Sequence, residues 1–185
     1  MTERYANMGT GHVASILCVV VPVLAGIISV ALRNLLVMDY VHVLLGAIWT
    51  GTDIFLGLIF TNVLRNVNNG IQQRVMKRLL PMTLFFIPTA SVVTPAVGYF
   101  LASYEGIFSL SNSIFIAIVV VGLFLVSITF AVIMPYSIII AIKSKVPEID
   151  SPIQRYVRGV TAGCFVQMLF QIGIISLMAY IVVFY

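Results

Sequence analysis

The chain has 185 residues and a mass of 20.3 kDa, a size typical of a single domain, here residues 1–185. Hydrophobic residues make up 61% of the chain and charged residues 9%, whereas ordinary globular domains contain about 45–50% and about 25%. So few charges cannot cover the surface of a soluble domain. The composition therefore excludes soluble, disordered and disulfide-rich proteins and leaves an integral membrane protein. Because the net charge of +4 follows membrane topology, we expect no nucleic-acid partner.

Five long apolar segments follow one another along the chain, and each can cross about 30 Å of hydrocarbon at about 1.5 Å per residue. They lack the alternation of barrel strands. The sequence therefore predicts an all-α bundle of five transmembrane helices, near residues 12–33, 39–64, 79–104, 110–143 and 158–185. The stretch Ser109–Asn112 is typical of a turn and a helix cap, and Pro135 is expected to kink the fourth helix.

The basic residues predict the orientation of the bundle. Nine of the ten lie before the first segment or in the connections that follow the second and fourth segments, and only Arg33 lies on the opposite side. Lys and Arg accumulate on the cytoplasmic side of membrane proteins. We therefore predict a multi-pass protein of the plasma membrane, surrounded by the lipid bilayer, with its N-terminus inside and its C-terminus outside.

One carboxylate, Asp53, falls within an apolar segment. It follows His42 by eleven residues and so lies about 16 Å deeper along the helix, near the bilayer centre. Polar residues at that depth are costly and often functional. It is expected either to be protonated and hydrogen-bonded to neighbouring helices or to ionise against a bound cation or cofactor. The candidate partners are Gln167, Gln171, Thr89, Ser91 and Thr94.

Asp53 shares one face of the second helix with an imidazole, an indole and two glycines. At about 100° per residue, six side chains fall within about 80° of one another. They are His42, Gly46, Trp49, Asp53, Gly57 and Phe60. Each has an ordinary membrane role, since glycine marks helix packing and Trp and His often lie at an interface. Their coincidence indicates a binding site, with space for a cofactor beside the glycines.

His42 is the predicted metal or haem ligand. The other histidine, His12, begins the first segment on the opposite side of the membrane, so the two cannot hold one haem between them. Met178 lies at a depth suited to a second ligand, and Met38 precedes His42 by one helical turn. A His and Met pair also suits copper(I), because thioether sulfur is a soft ligand.

The segment from His42 to Gly51 has the pattern His-x3-Gly-x2-Trp-x-Gly, and Leu80–Met82 and Thr94–Gly98 accompany it in the third segment. Over roughly residues 40–103 the chain resembles a loose group of small membrane proteins. The group includes the copper resistance protein D family, the membrane N-terminal domain of some urate oxidases and the bacterial membrane protoporphyrinogen oxidase. The resemblance implies a helical bundle, with haem b held by His42 as in some relatives, or copper handling as in others. Asp53 is outside this pattern.

Three function classes remain open. The first is a haem- or metal-binding subunit for redox or electron transfer, with haem b or copper as cofactor. The second is a carrier or channel for a metal ion or small solute that uses Asp53, and the third is a non-catalytic subunit of a larger membrane complex. Small residues at Gly46, Gly51, Gly57, Ala162 and Gly163 favour helix association, within one chain or in a homodimer.

Overall fold

The computed structural model describes residues 2–64, 69–143 and 152–184, which form five helices. We name them α1 to α5. Three of the five are interrupted by π-helical turns. The bounds are Thr2–Ala31 for α1; Leu35–Ile54, the π turn Phe55–Phe60 and Thr61–Leu64 for α2; Asn69–Pro81, the π turn Met82–Phe86 and Ile87–Tyr104 for α3; Ser113–Ile128, the π turn Thr129–Ile133 and Met134–Lys143 for α4; and Pro152–Phe184 for α5.

Each helix contains a stretch long and apolar enough to cross a membrane. The stretches are Val13–Ala31, Leu35–Val63, Arg74–Tyr104, Ser113–Lys143 and Gln154–Ile181. No strand occurs in the described parts of the chain. The prediction of an all-α protein with five such helices is therefore confirmed.

Four of the five helices begin earlier in the chain than the sequence predicts. The first helix begins at Thr2 instead of 12, the second at Leu35 instead of 39, the third at Asn69 instead of 79 and the fifth at Pro152 instead of 158. The fourth begins at Ser113, three residues later than predicted. The prediction began the second, third and fifth helices at or next to a charged residue, but helices continue through charges once these reach the headgroup level.

Asparagine begins two of the helices. The Asn34 side chain accepts a hydrogen bond from Val37 N at 3.3 Å, after Arg33 has turned the chain at a positive φ of 50°. The Asn112 side chain accepts from Ile114 N at 2.9 Å. Both bonds satisfy N–H groups that have no partner within the first helical turn. The cap predicted at Ser109–Asn112 is thus confirmed.

Pro135 is the second residue after the π turn Thr129–Ile133 in α4. A proline within a helix removes one N–H donor and clashes with the carbonyl four residues earlier. The wider π turn relieves this crowding, and Pro88 in α3 follows the π turn Met82–Phe86 in the same way.

Helix α2 lies at the centre of the bundle, where it packs against α1, α3 and α5. Helix α4 packs mainly against α5. The buried core accordingly gathers around α2 and α5, with Trp49, Leu56, Val160 and Cys164 among its members. The sequence-predicted face of the second helix therefore points into the protein.

Candidate functional site

Asp53 lies in the middle of α2 and is completely buried. Its carboxyl group faces the Cys164 thiol and the Gln171 amide of α5. Neither carboxyl oxygen makes a hydrogen bond of ordinary length and angle to any described residue. A buried carboxyl without partners is rare, because the lost contact with water is not replaced.

Gln167 of α5 has a fixed amide orientation. Its Nε2 donates to the Leu125 carbonyl oxygen at 2.7 Å and to Thr129 Oγ1 at 2.6 Å, both in α4. A carbonyl oxygen can only accept, so the amide nitrogen must stand on that side. The amide oxygen of Gln167 is therefore directed elsewhere, and it is buried without a donor among the described residues.

Four further side chains carry buried polar atoms that have no partner in the described parts of the chain. These atoms are Trp49 Nε1, Thr94 Oγ1, Ser137 Oγ of α4 and both amide atoms of Gln171. Gln171 is 2% exposed and Trp49 is 4% exposed, so water at the surface does not reach them. We call the group that the structure brings together the Asp53 site. It consists of Asp53, Cys164 and Gln171, and Trp49 lies one helical turn before Asp53 on the same face of α2.

The polar partners predicted for Asp53 are only partly brought to it. Gln171 faces the carboxyl group, whereas Thr89 and Ser91 donate to the Phe85 and Pro88 carbonyl oxygens of their own helix. Cys164 was not predicted. The sequence does contain a signal that could have identified it. Cys164 lies seven residues before Gln171, and that spacing places both side chains on one helical face.

The glycines of the predicted face are filled by neighbouring helices. A Cβ atom at Gly57 would lie 2.6 Å from Phe165 N, and one at Gly46 would lie 3.6 Å from the Thr94 methyl group. The expected space beside these glycines is thus occupied by α5 and α3. Gly57 therefore serves the close packing of α2 against α5, whereas at Gly46 the Thr94 methyl group lies at an ordinary contact distance.

His42 is half-buried, and its ring lies against Gly98 of α3. The Nδ1–H group donates to the Thr94 carbonyl oxygen at 2.9 Å. Since that oxygen can only accept, the lone pair of the neutral imidazole is on Nε2. This is the arrangement of metal-ligating histidines, in which the second nitrogen is held by a carbonyl group.

The residues that fit a cofactor at His42 are few. Within the described residues, no three His, Cys, Asp or Glu side chains converge as a metal-binding group. Met178 is half-buried on α5 and Met38 is fully buried in α2, whereas the His12 side chain lies outside the described residues. The imidazole therefore suits a single ligand bond through Nε2, and the part of the predicted face at Gly57 is occupied by α5.

Comparisons with protein-family models, curated proteins and solved structures gave no match. The resemblance noted from the sequence therefore stays a prediction.

Proposed function

We propose that this protein is a multi-pass membrane carrier that binds a small polar or charged solute at the Asp53 site. One observation supports the proposal. Buried polar atoms of α2, α3 and α5 face the bundle interior without partners in the described chain. Such atoms destabilise a fold unless a bound species satisfies them, so they are retained where they serve binding.

The alternative that Asp53 only holds helices together has less support. That role requires hydrogen bonds from the carboxyl group to other helices. The carboxyl group faces a thiol and an amide of α5, but neither contact has the length and angle of a hydrogen bond. A carboxyl group that binds a solute accounts for both its burial and its lack of hydrogen bonds within the protein, because its bonds would be made to the solute.

Uptake by proteoliposomes tests the carrier. The purified full chain is reconstituted, and a panel of labelled Na⁺, Rb⁺, Cu⁺, glycerol and urea is offered. We expect uptake of at least one of these above protein-free liposomes. It should be lost in Asp53→Asn and kept in Asp39→Asn, because Asp39 is an exposed carboxylate of the same helix. Folded protein that takes up none of the panel would contradict the proposal.

A second candidate is a subunit for redox or electron transfer with haem b or a metal at His42. The tautomer of His42 favours it, because Nε2 keeps the lone pair that a metal requires. When bound, such a cofactor would supply one-electron chemistry. The protein would hold it through one imidazole oriented by the Thr94 carbonyl group.

An absorbance spectrum of the purified protein tests this candidate. Soret and alpha bands on reduction, or stoichiometric copper, would support it. His42→Ala should abolish the signal, and Gly98→Ala should reduce it because the new Cβ would lie 2.6 Å from His42 Cε1. Substitution of His12 should leave it unchanged. A featureless spectrum without bound metal would rule the candidate out, and co-purifying larger partners would then indicate a non-catalytic subunit.

The setting of either function is the lipid bilayer of the plasma membrane, with the N-terminus inside. A homodimer or a larger membrane complex is part of this proposal. At Gly51, no atom lies within 4 Å of the position that a Cβ would occupy. This face of α2 is therefore open to contact with another copy of the chain. A strictly monomeric mass in native spectrometry would count against the dimer.

A further inference from the structure

We infer that the first segment of α3, Asn69–Pro81, binds the headgroup of an anionic phospholipid through Arg74 and Arg78. The segment contains no residue of the Asp53 site, so this inference does not depend on the proposed carrier. It rests on the face that the segment turns away from the bundle, on the charge of that face and on the apolar side chains beside it.

The segment is held against the bundle by one face. Met76 is completely buried in the core, and Leu79 and Leu80 are partly buried against that core. The segment packs against α1, the last part of α4 and α5. Packing therefore fixes the rotation of the segment about its axis, and the face opposite Met76 points away from the protein.

Two arginines occupy this outer face. At about 100° per residue, Arg74 and Arg78 each lie about 160° from Met76 around the helix. Both are exposed, and they are one helical turn apart, which is about 6 Å along the axis. Arg74 Nε donates to the Gly70 carbonyl oxygen at 3.3 Å, which uses one of the five N–H groups of a guanidinium. The pair therefore presents most of its donors to an external anion.

No carboxylate of this segment offsets the two arginines, since Asn69–Pro81 contains neither Asp nor Glu. The structure describes three carboxylate side chains. Asp53 is buried in the core, and Asp39 at the beginning of α2 and Glu105 after α3 lie at the opposite end of the bundle. The outer face of the segment is therefore positively charged and favours an anion.

The beginning of α5 adds basic residues at the same end of the bundle. Arg155 and Arg158 are exposed and three residues apart, so they share one face of that helix. A zwitterionic headgroup would bring its own cation close to this positive end, whereas an anionic headgroup brings only negative charge. Charge complementarity therefore selects anionic lipids over zwitterionic ones.

Apolar side chains beside the arginines distinguish a lipid from a soluble anion. Ile71 and Val75 are 42% and 36% exposed, and both lie within about 100° of Arg74 and Arg78 around the helix. The apolar stretch of α3 begins at Arg74, so the arginines stand at the border of the hydrocarbon, where lipid phosphates lie. A phospholipid satisfies both features, with its phosphate on the guanidinium groups and its glycerol and acyl region over Ile71 and Val75.

Thermal unfolding of the detergent-purified full chain tests the inference. Phosphatidylglycerol is titrated into the micelles, and phosphatidylcholine with the same acyl chains is the matched lipid. We expect a saturable rise of the unfolding midpoint of about 5 °C with phosphatidylglycerol and of less than about 1 °C with phosphatidylcholine. Equal rises with the two lipids would overturn the inference.

Variants locate the binding surface. The double variant Arg74→Gln, Arg78→Gln should require at least about tenfold more phosphatidylglycerol, because each basic residue near an anionic lipid contributes about fivefold. Val75→Ser should require about threefold more lipid although the charge is unchanged. Arg33→Gln is the control, because Arg33 is an exposed basic residue between α1 and α2 at the opposite end of the bundle, and it should titrate like the wild type. A double variant that titrates like the wild type would place the lipid elsewhere and overturn the inference.

Native spectrometry of the wild type in an equimolar mixture of the two lipids gives a second readout. At least one phosphatidylglycerol should stay bound per chain, and the double variant should lose it. Glycerol phosphate carries the same phosphate without acyl chains, and it should not raise the midpoint at the concentration at which the lipid saturates. A rise of equal size would identify a site for soluble anions, and a rise with polyglutamate but not with phosphatidylglycerol would identify a docking surface for an acidic protein. Either result would overturn the inference.

Discussion

Asp53 illustrates how a single side chain can be kept at the expense of stability. Its carboxyl group is completely buried, and neither oxygen accepts a hydrogen bond of ordinary length and angle from a described residue. A leucine at this position would remove the unsatisfied atoms and add apolar contacts to the core around α2 and α5. The polar residue is therefore better explained by binding than by packing.

Asp53→Leu should stabilise the protein when no solute is bound. The expected gain in the free energy of unfolding is about 1–3 kcal/mol, the cost of a buried polar group without a partner. Thermal unfolding of the detergent-purified protein measures it. Asp39→Leu is the control, and it should change stability little because Asp39 is exposed. A destabilisation by Asp53→Leu of similar size would show that the carboxyl group holds the helices together.

At the scale of the helix, the contact between α2 and α5 depends on one glycine. A Cβ at Gly57 would lie 2.6 Å from Phe165 N and 2.7 Å from Phe165 Cα. These are backbone atoms, which cannot rotate away as a side chain can. The two helices must then separate, and the groups of the Asp53 site that they carry would move apart with them.

Gly57→Ala is therefore expected to destabilise the protein by about 1–3 kcal/mol. Gly51→Ala is the matched substitution, six residues earlier in the same helix, where no atom lies within 4 Å of the new Cβ. It should leave stability unchanged or raise it by up to about 1 kcal/mol, because alanine favours a helix more than glycine does. Thermal unfolding of the two variants side by side measures the difference. Equal effects would show that α5 does not approach Gly57 this closely.

The helices and the site differ in how far the sequence predicts them. The apolar segments predict five helices because hydrophobicity is a local property, and Asn112 predicts its own cap. The site is only partly predictable. Helical spacing places Trp49 and Asp53 on one face, and both are buried, but Gln171 and Cys164 become neighbours of Asp53 only when α5 packs against α2. The π turn at Phe55–Phe60 has no proline after it and gives no local signal.

For the whole molecule, the distribution of charge predicts the orientation in the membrane, which helix packing alone does not. The connection after α2 and the connection after α4 carry basic residues, whereas the turn between α3 and α4 contains Glu105 and polar serines. The first two connections should therefore be cytoplasmic and the last one external. Five crossings then place the two chain ends on opposite sides of the membrane.

Cysteine labelling of intact cells tests this orientation. With Cys18 replaced by alanine and Cys164 completely buried, a new cysteine is the one accessible thiol among the described residues. A membrane-impermeant maleimide should label Ser109→Cys, in the exposed turn before α4, in intact cells. Asn69→Cys, at the beginning of α3, should be labelled only after the cells are permeabilised. The reverse pattern would place the N-terminus outside. The carrier proposal would survive that result, because it concerns the interior of the bundle. A solute that enters the cell would then cross the bundle in the opposite direction along the helices.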